Sequence, residues 1–148
     1  MTTSYRRVQQ GYLMYTIFGL AALVEVLAGF LYPEAQAALL VAACISMAFA
    51  WFFGRLSVEL NEREAAVAFG PGLLKKRIDL AEVRAVRPVR NHWACGWGIR
   101  YIGGGWMWNV SGLDAVELEF RDGRRFRIGT DDPSGLARAL EARLVQAA

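Results

Sequence analysis

The chain has 148 residues, 55% of them hydrophobic, with 17 Lys/Arg against 14 Asp/Glu. A surplus of three positive charges falls well short of a nucleic-acid-binding balance, and no nucleic-acid partner is expected. Two cysteines, Cys44 in an apolar run and Cys95 in the polar tail, exclude a disulfide framework.

Residues 1-10 read as a short N-terminal segment carrying Arg6 and Arg7. Two apolar runs follow, 11-32 and 35-53, separated by Tyr32-Pro33-Glu34. The first holds one charge, Glu25, and the second none. Crossing a hydrocarbon core takes about 20 apolar residues as a helix, so 11-54 is predicted to be a transmembrane helical hairpin. A cleavable signal peptide is the rival reading, with Arg6-Arg7 as its basic start and Ala35-Gln36-Ala37 as a small-x-small site. The length of the run and Glu25 argue against it. Arg6, Arg7 and Arg55 flank the hairpin, and its loop has no Lys or Arg. The positive-inside rule then puts both termini in the cytoplasm, in a multi-pass protein of the cytoplasmic (inner) membrane. Tyr12, Tyr15, Tyr32 and Trp51 fall near the expected interfaces.

Ala38, Ala42, Ser46, Ala50 and Gly54 recur every four residues and form a stripe of small side chains. With the turn at Pro33, Glu25 comes level with Ala42 and within a turn of Ser46. The stripe serves hairpin packing or a homo-oligomer seam. An intramembrane carboxyl is a functional-site hypothesis by default, but Glu25 has no Lys, Arg, His or second carboxyl in the runs to partner it in a proton relay. It reads as a structural, hydrogen-bonded carboxyl, with ion conduction as the alternative.

From residue 55 onward the pattern alternates. Leu56, Val58 and Leu60 define a half-buried strand, and Ala65, Val67 and Phe69 a second one after the polar turn Asn61-Glu62-Arg63-Glu64. Gly70-Pro71-Gly72 breaks the chain. Leu74–Leu80 and Val83–Val89 read as further strands, Pro88 marking an edge or an end. Trp93 to Tyr101 and Trp106 to Val110 alternate around Gly103-Gly104-Gly105, which predicts a hairpin with Trp97, Trp106 and Trp108 inward. Asp122-Gly123 predicts a hairpin between Val116–Phe120 and Phe126–Ile128. Asp132 as N-cap and Pro133 as first residue open a final helix with Leu136, Leu140 and Leu144 on one face.

Few residues carry reactive chemistry. His92 is the single histidine, three residues from Cys95, and no second pair completes a metal site. The triple glycine lacks the Lys-Ser/Thr of a phosphate loop. No catalytic, cofactor-binding or metal-binding residue is assigned, no cofactor is expected, and the chain is expected not to be an enzyme. Arg55 and the triplet Lys75, Lys76, Arg77 are candidates for contact with anionic lipid headgroups. The competing reading of the triplet is a charged, protected strand edge. Trp93 is the candidate for partner contact.

About seven antiparallel strands and a C-terminal helix give an α+β tail, residues 55-148. The run Gly96-Trp97-Gly98-Ile99-Arg100, then Ala115-Val116-Glu117-Leu118 and Ile128-Gly129-Thr130-Asp131-Asp132-Pro133, resembles the bacterial PH-like (pleckstrin-homology fold) domains carried by small two-helix membrane proteins. That resemblance implies a β-barrel or sandwich with a C-terminal capping helix. It also implies a membrane-anchored module that assembles with itself or binds a membrane-protein partner. Phosphoinositide-binding relatives carry basic residues in the first hairpin loop, where this chain has the acidic Asn61-Glu62-Arg63-Glu64. The expected function is a non-enzymatic, membrane-anchored interaction module; alternative: a small oligomeric transporter or ion-conducting protein using Glu25.

Overall fold

The computed structural model describes residues 5–147. Residues 1–4 of the expected N-terminal segment lie outside the described residues. The rest of that segment, to which the sequence reading assigns no element, is a strand, β1 (Tyr5–Gln10). Then come α1 (Tyr12–Leu31), a single 3-10 turn at Pro33–Ala35, and α2 (Gln36–Phe53). Strands β2 (Arg55–Leu60), β3 (Glu64–Phe69) and β4 (Leu74–Asp79) follow, then β5 (Val83–Arg90), β6 (Gly98–Tyr101), β7 (Gly105–Asn109), β8 (Asp114–Phe120) and β9 (Arg125–Gly129). The chain closes with α3 (Pro133–Ala147).

Both long helices are apolar enough to cross a membrane, and most of their side chains point outward. Leu20, Leu23, Leu27, Phe30, Val41, Ile45 and Phe49 are all exposed. The core helix of a soluble protein would bury such a face, because each large apolar side chain left in water forgoes about 1.5–3 kcal/mol. These helices bury only a seam against each other.

The strands form two sheets, against the barrel or sandwich expected, and no closed barrel. One has order β1-β2-β3-β4, the other β5-β8-β9-β7-β6, and they do not close. Pairing is antiparallel except between β7 and β9, which run parallel. Nine strands form among the described residues, against about seven expected: β1 joins from before the helices, and eight form in the tail. Strand β6 starts only at Gly98. Trp93–Cys95 is a 3-10 turn, capped by His92 Nδ1 accepting the Ala94 N–H at 3.2 Å. Pro88 is tolerated inside β5 because β5 is an edge strand, with β8 as its neighbour in the sheet.

The inner faces of both sheets share one core: Leu56, Val58, Leu60, Val67 and Phe69 from one, Val116, Leu118, Phe126 and Ile128 from the other. Helix α3 adds Leu136 and Leu140. Its start follows the sequence closely: Asp132 Oδ1 accepts the Gly135 N–H at 2.9 Å.

The hairpin is an extension of the β1–β2 ribbon. Gln10 pairs with Arg55 in the last rung before the helices. The Gly11 N–H then donates to the Gly54 carbonyl at 2.7 Å. Both chains therefore leave the sheet side by side and return side by side. A run of rings continues the connection inward: Phe18–Phe49 at 5.6 Å, Phe49–Phe53 at 5.9 Å, Phe53–Phe69 at 5.6 Å, Phe69–Trp108 at 5.3 Å and Trp108–Phe126 at 5.9 Å.

Candidate functional site

The outer face of the four-stranded sheet carries the candidate site. Registers place two rows across it: Val8, Ser57, Ala68, Lys75 and Arg6, Glu59, Ala66, Arg77. Apart from Glu59, small residues fill the middle strands, and Arg6, Lys75 and Arg77 stand on the edges. The result is a trough floored by Ser57, Ala66 and Ala68. It has two connected compartments of about 400 and 410 Å³, which share Arg6, Glu59, Ala66 and Lys75.

The two compartments differ electrostatically. The one beside the hairpin is lined by Arg6, Arg55 and Lys75 against Glu59, and is closed at its end by Gly70-Pro71-Gly72. The distal one adds Arg77 but also Glu64, and loses Arg55. Glu59 is taken by Arg6 at 3.1 Å. The buried Nε of Arg55 has no hydrogen-bond partner among the described residues. An anion in the hairpin-side compartment would meet a surplus of donors. Since the turn after β3 lies against the Phe52 backbone, this compartment sits at the foot of the helices.

Of the four basic residues named from sequence, Arg55, Lys75 and Arg77 line this trough. Lys76 does not. Alternation along β4 sends it to the inner side, where its Nζ lies 5.2 Å from the Phe126 ring centroid. Arg6 joins the trough instead; only the pairing of β1 with β2 brings it there, and its sequence neighbourhood gave no strand signal. Arg7, on the other face of β1, donates from Nε and Nη2 to Asp131 at 3.0 and 3.1 Å. That hydrogen bond holds the guanidinium above its ordinary range.

The small-residue seam is rotated from the expected one. Ala50 and Gly54 are buried and Ala42 and Ser46 half-buried, but Ala38 is exposed. Ala43 is buried, and Gly29 packs toward Gln36 and Leu39. A four-residue step overshoots a full turn by about 40°, so a strict i+4 stripe walks off a straight helix face. The packed face uses mixed steps of three and four. Leu39 is half-buried on it. Glu25 is half-buried and accepts the Ser46 hydroxyl, with Oε2 at 3.0 Å and Oε1 at 3.3 Å.

The tryptophans also divide differently. Trp93 is 71% exposed on its turn. Trp106 and Trp108 share the inner side of β7 with Phe126 and Ile128 of β9. Trp108 is half-buried there, but Trp106 remains 50% exposed because the first sheet does not extend over it. Met107 and Asn109, expected outward, are fully buried. Met107 sits in a cross-sheet row Arg87, Glu117, Arg127, Met107, Arg100, where arginine stems cover it. Glu117, at 7% side-chain exposure, takes Arg127 at 2.7 Å. No alternation pattern signals such a network.

Among known proteins, no family model matches this chain and no curated protein matches it.

Proposed function

We propose that the protein is a membrane-anchored, non-enzymatic interaction module. The hairpin spans the cytoplasmic membrane with both termini in the cytoplasm. A PH-like β-domain is held against the surface, its hairpin-side trough set against anionic headgroups. The observation that carries this reading is the β1–β2 ribbon gripping both ends of the hairpin, Gln10 against Arg55. With two adjoining strands leading into the helices, the domain lacks a hinge and Arg55 stays at headgroup level. Each cation near an anionic surface contributes about 1 kcal/mol. The order of sheet, sheet and C-terminal helix supports the PH-like reading. Chemistry in the trough is that of binding: its one shared carboxylate is already paired with Arg6.

Two measurements test this. In intact cells, with Cys44 and Cys95 replaced by Ala, an impermeant maleimide is expected to label Glu34→Cys and spare Glu62→Cys. In bilayer nanodiscs of phosphatidylcholine with a minority of phosphatidylglycerol, the double variant Arg55→Gln/Lys75→Gln is expected to retain less anionic lipid on extraction, counted by native mass spectrometry. Labelling of Glu62→Cys, or unchanged lipid retention, counts against the anchor or the trough respectively.

A further inference from the structure

Because the two sheets do not close, a second cavity lies on the inner side, between the free edge of β4 and the strands β6, β7 and β9. It measures about 380 Å³ and is lined by Ile99, Trp106, Trp108, Phe126, Lys75 and Lys76. No acidic side chain lines it. It is also polarised along its length. At one end Trp108 packs at a tilt against Phe69, whose other neighbour is Phe53 of α2. Leu74 pairs with Phe69 at this end, and Leu73 beside it is 75% exposed. At the other end the Lys76 ammonium lies over Phe126, level with Trp106. The groove is thus apolar where it meets the hairpin and cationic where it points away.

We propose that this groove binds a single-chain anionic amphiphile of the fatty-acid class, taken from the bilayer. The carboxylate pairs with the Lys76 ammonium, with Lys75 on the rim. The chain runs back past Trp106, Ile99 and Trp108 and leaves between Trp108 and Leu74 toward the membrane. The assignment rests on the membrane-spanning reading of the hairpin, because continuity with that apolar surface is what selects a lipid chain over a peptide. A chain in such a slot exchanges one apolar environment for another. The gain is therefore the charge-assisted contact with a lysine shielded by aromatic walls.

The test uses the full chain in phosphatidylcholine nanodiscs, with Trp51, Trp93, Trp97 and Trp108 changed to Phe so that Trp106 alone emits. Trp106 lies four residues along β7 from Val110, whose side chain abuts Gly11 at the hairpin base. That is about 13 Å from the base at about 3.3 Å per residue, out of reach of chains that stay in the bilayer. Dibromostearate is expected to quench Trp106 saturably, while dibromostearoyl phosphatidylcholine at equal bromine content is not. Lys76→Met is expected to raise the half-saturating concentration about tenfold, with Lys76→Arg restoring it. Equal quenching by both probes, a linear unsaturable response, or no effect of Lys76→Met overturns the proposal. If the tryptophan replacements fail to fold, native mass spectrometry of the wild-type chain with palmitate decides instead: a one-to-one adduct lost in Lys76→Met supports the site, and no adduct overturns it. The Glu34→Cys labelling reports the anchor separately, so a missing groove ligand and a misplaced hairpin give different results.

Discussion

Replacing Gly54 by Ala tests how tightly the hairpin is joined to the sheet. Gly54 ends α2 with φ −75°, ψ 0°, a conformation open to any residue, so backbone freedom is not what requires glycine there. The requirement is space. A Cβ would fall inside contact distance of the Tyr15 ring of α1 and the Ala50 carbonyl oxygen. The ring can swing aside but the Ala50 carbonyl cannot, so the backbone at Gly54 must shift as well, and overpacking of this kind costs about 1–3 kcal/mol. Shifting Gly54 also strains the 2.7 Å bond from the Gly11 N–H to the Gly54 carbonyl, worth about 1 kcal/mol more. The expected loss is about 2–4 kcal/mol. Gly19 is the control. It lies mid-helix with nothing within 4 Å of an added Cβ, so Gly19→Ala should stabilise by about 0.5–1 kcal/mol through helix propensity. Unfolding of the full chain in mixed micelles with rising denaturing detergent, followed by far-UV circular dichroism, reads both. Equal stability of the two variants, or a Gly54→Ala protein as stable as wild type, would refute the close-approach argument.

Three further outcomes are expected. Ala43→Leu and Ala50→Leu should disrupt the hairpin in the same assay by about 1–3 kcal/mol, while Ala38→Leu, on the exposed face, should change stability by less than about 0.5 kcal/mol. Glu25→Gln should keep the hairpin intact, since an amide oxygen still accepts the Ser46 hydroxyl; liposome flux lost in Glu25→Gln would instead point to ion conduction. Burial, reinforced by Asp132, raises the Tyr5 hydroxyl above its ordinary value. Its folded pKa thus exceeds the unfolded one, so its contribution is complete below pH of about 10 and is lost as pH rises through the folded value. Tyr5→Phe should remove that alkaline loss, read as melting temperature between about pH 9 and 11.

The two apolar helices, the Asp122-Gly123 hairpin and the Asp132 cap were legible because each rests on local chemistry: run length, turn preference and a side chain three residues from the amide it caps. Strand β1 was not legible. Tyr5–Gln10 has no apolar alternation, and its partner lies beyond the whole helical hairpin, so only the Gln10–Arg55 closure makes it a strand. The trough was half legible. Arg55, Lys75 and Arg77 stood out as charges, yet the period of two that separates Lys76 from its neighbours has effect only once β4 is known to have an inner side. For Trp106 the facing was right and the burial was not, because burial depends on how far the opposite sheet extends. Of the seam residues Ala38 falls on the exposed side, through the gap between a spacing of four and a helical turn.

The ring series from Phe18 to Phe126 gives the molecule a mechanical property. It crosses from the third of the helices nearest the sheets to the centre of the β-domain, alongside the paired backbone at Gly11 and Gly54. A hairpin seated in a bilayer changes its tilt when the hydrocarbon layer thins or thickens. With no joint to absorb that rotation, the whole domain turns through the same angle, and its far end sweeps the widest arc. On the membrane-spanning reading proposed above, bilayer thickness becomes an input, and the height of the domain's outer rim above the membrane becomes the output.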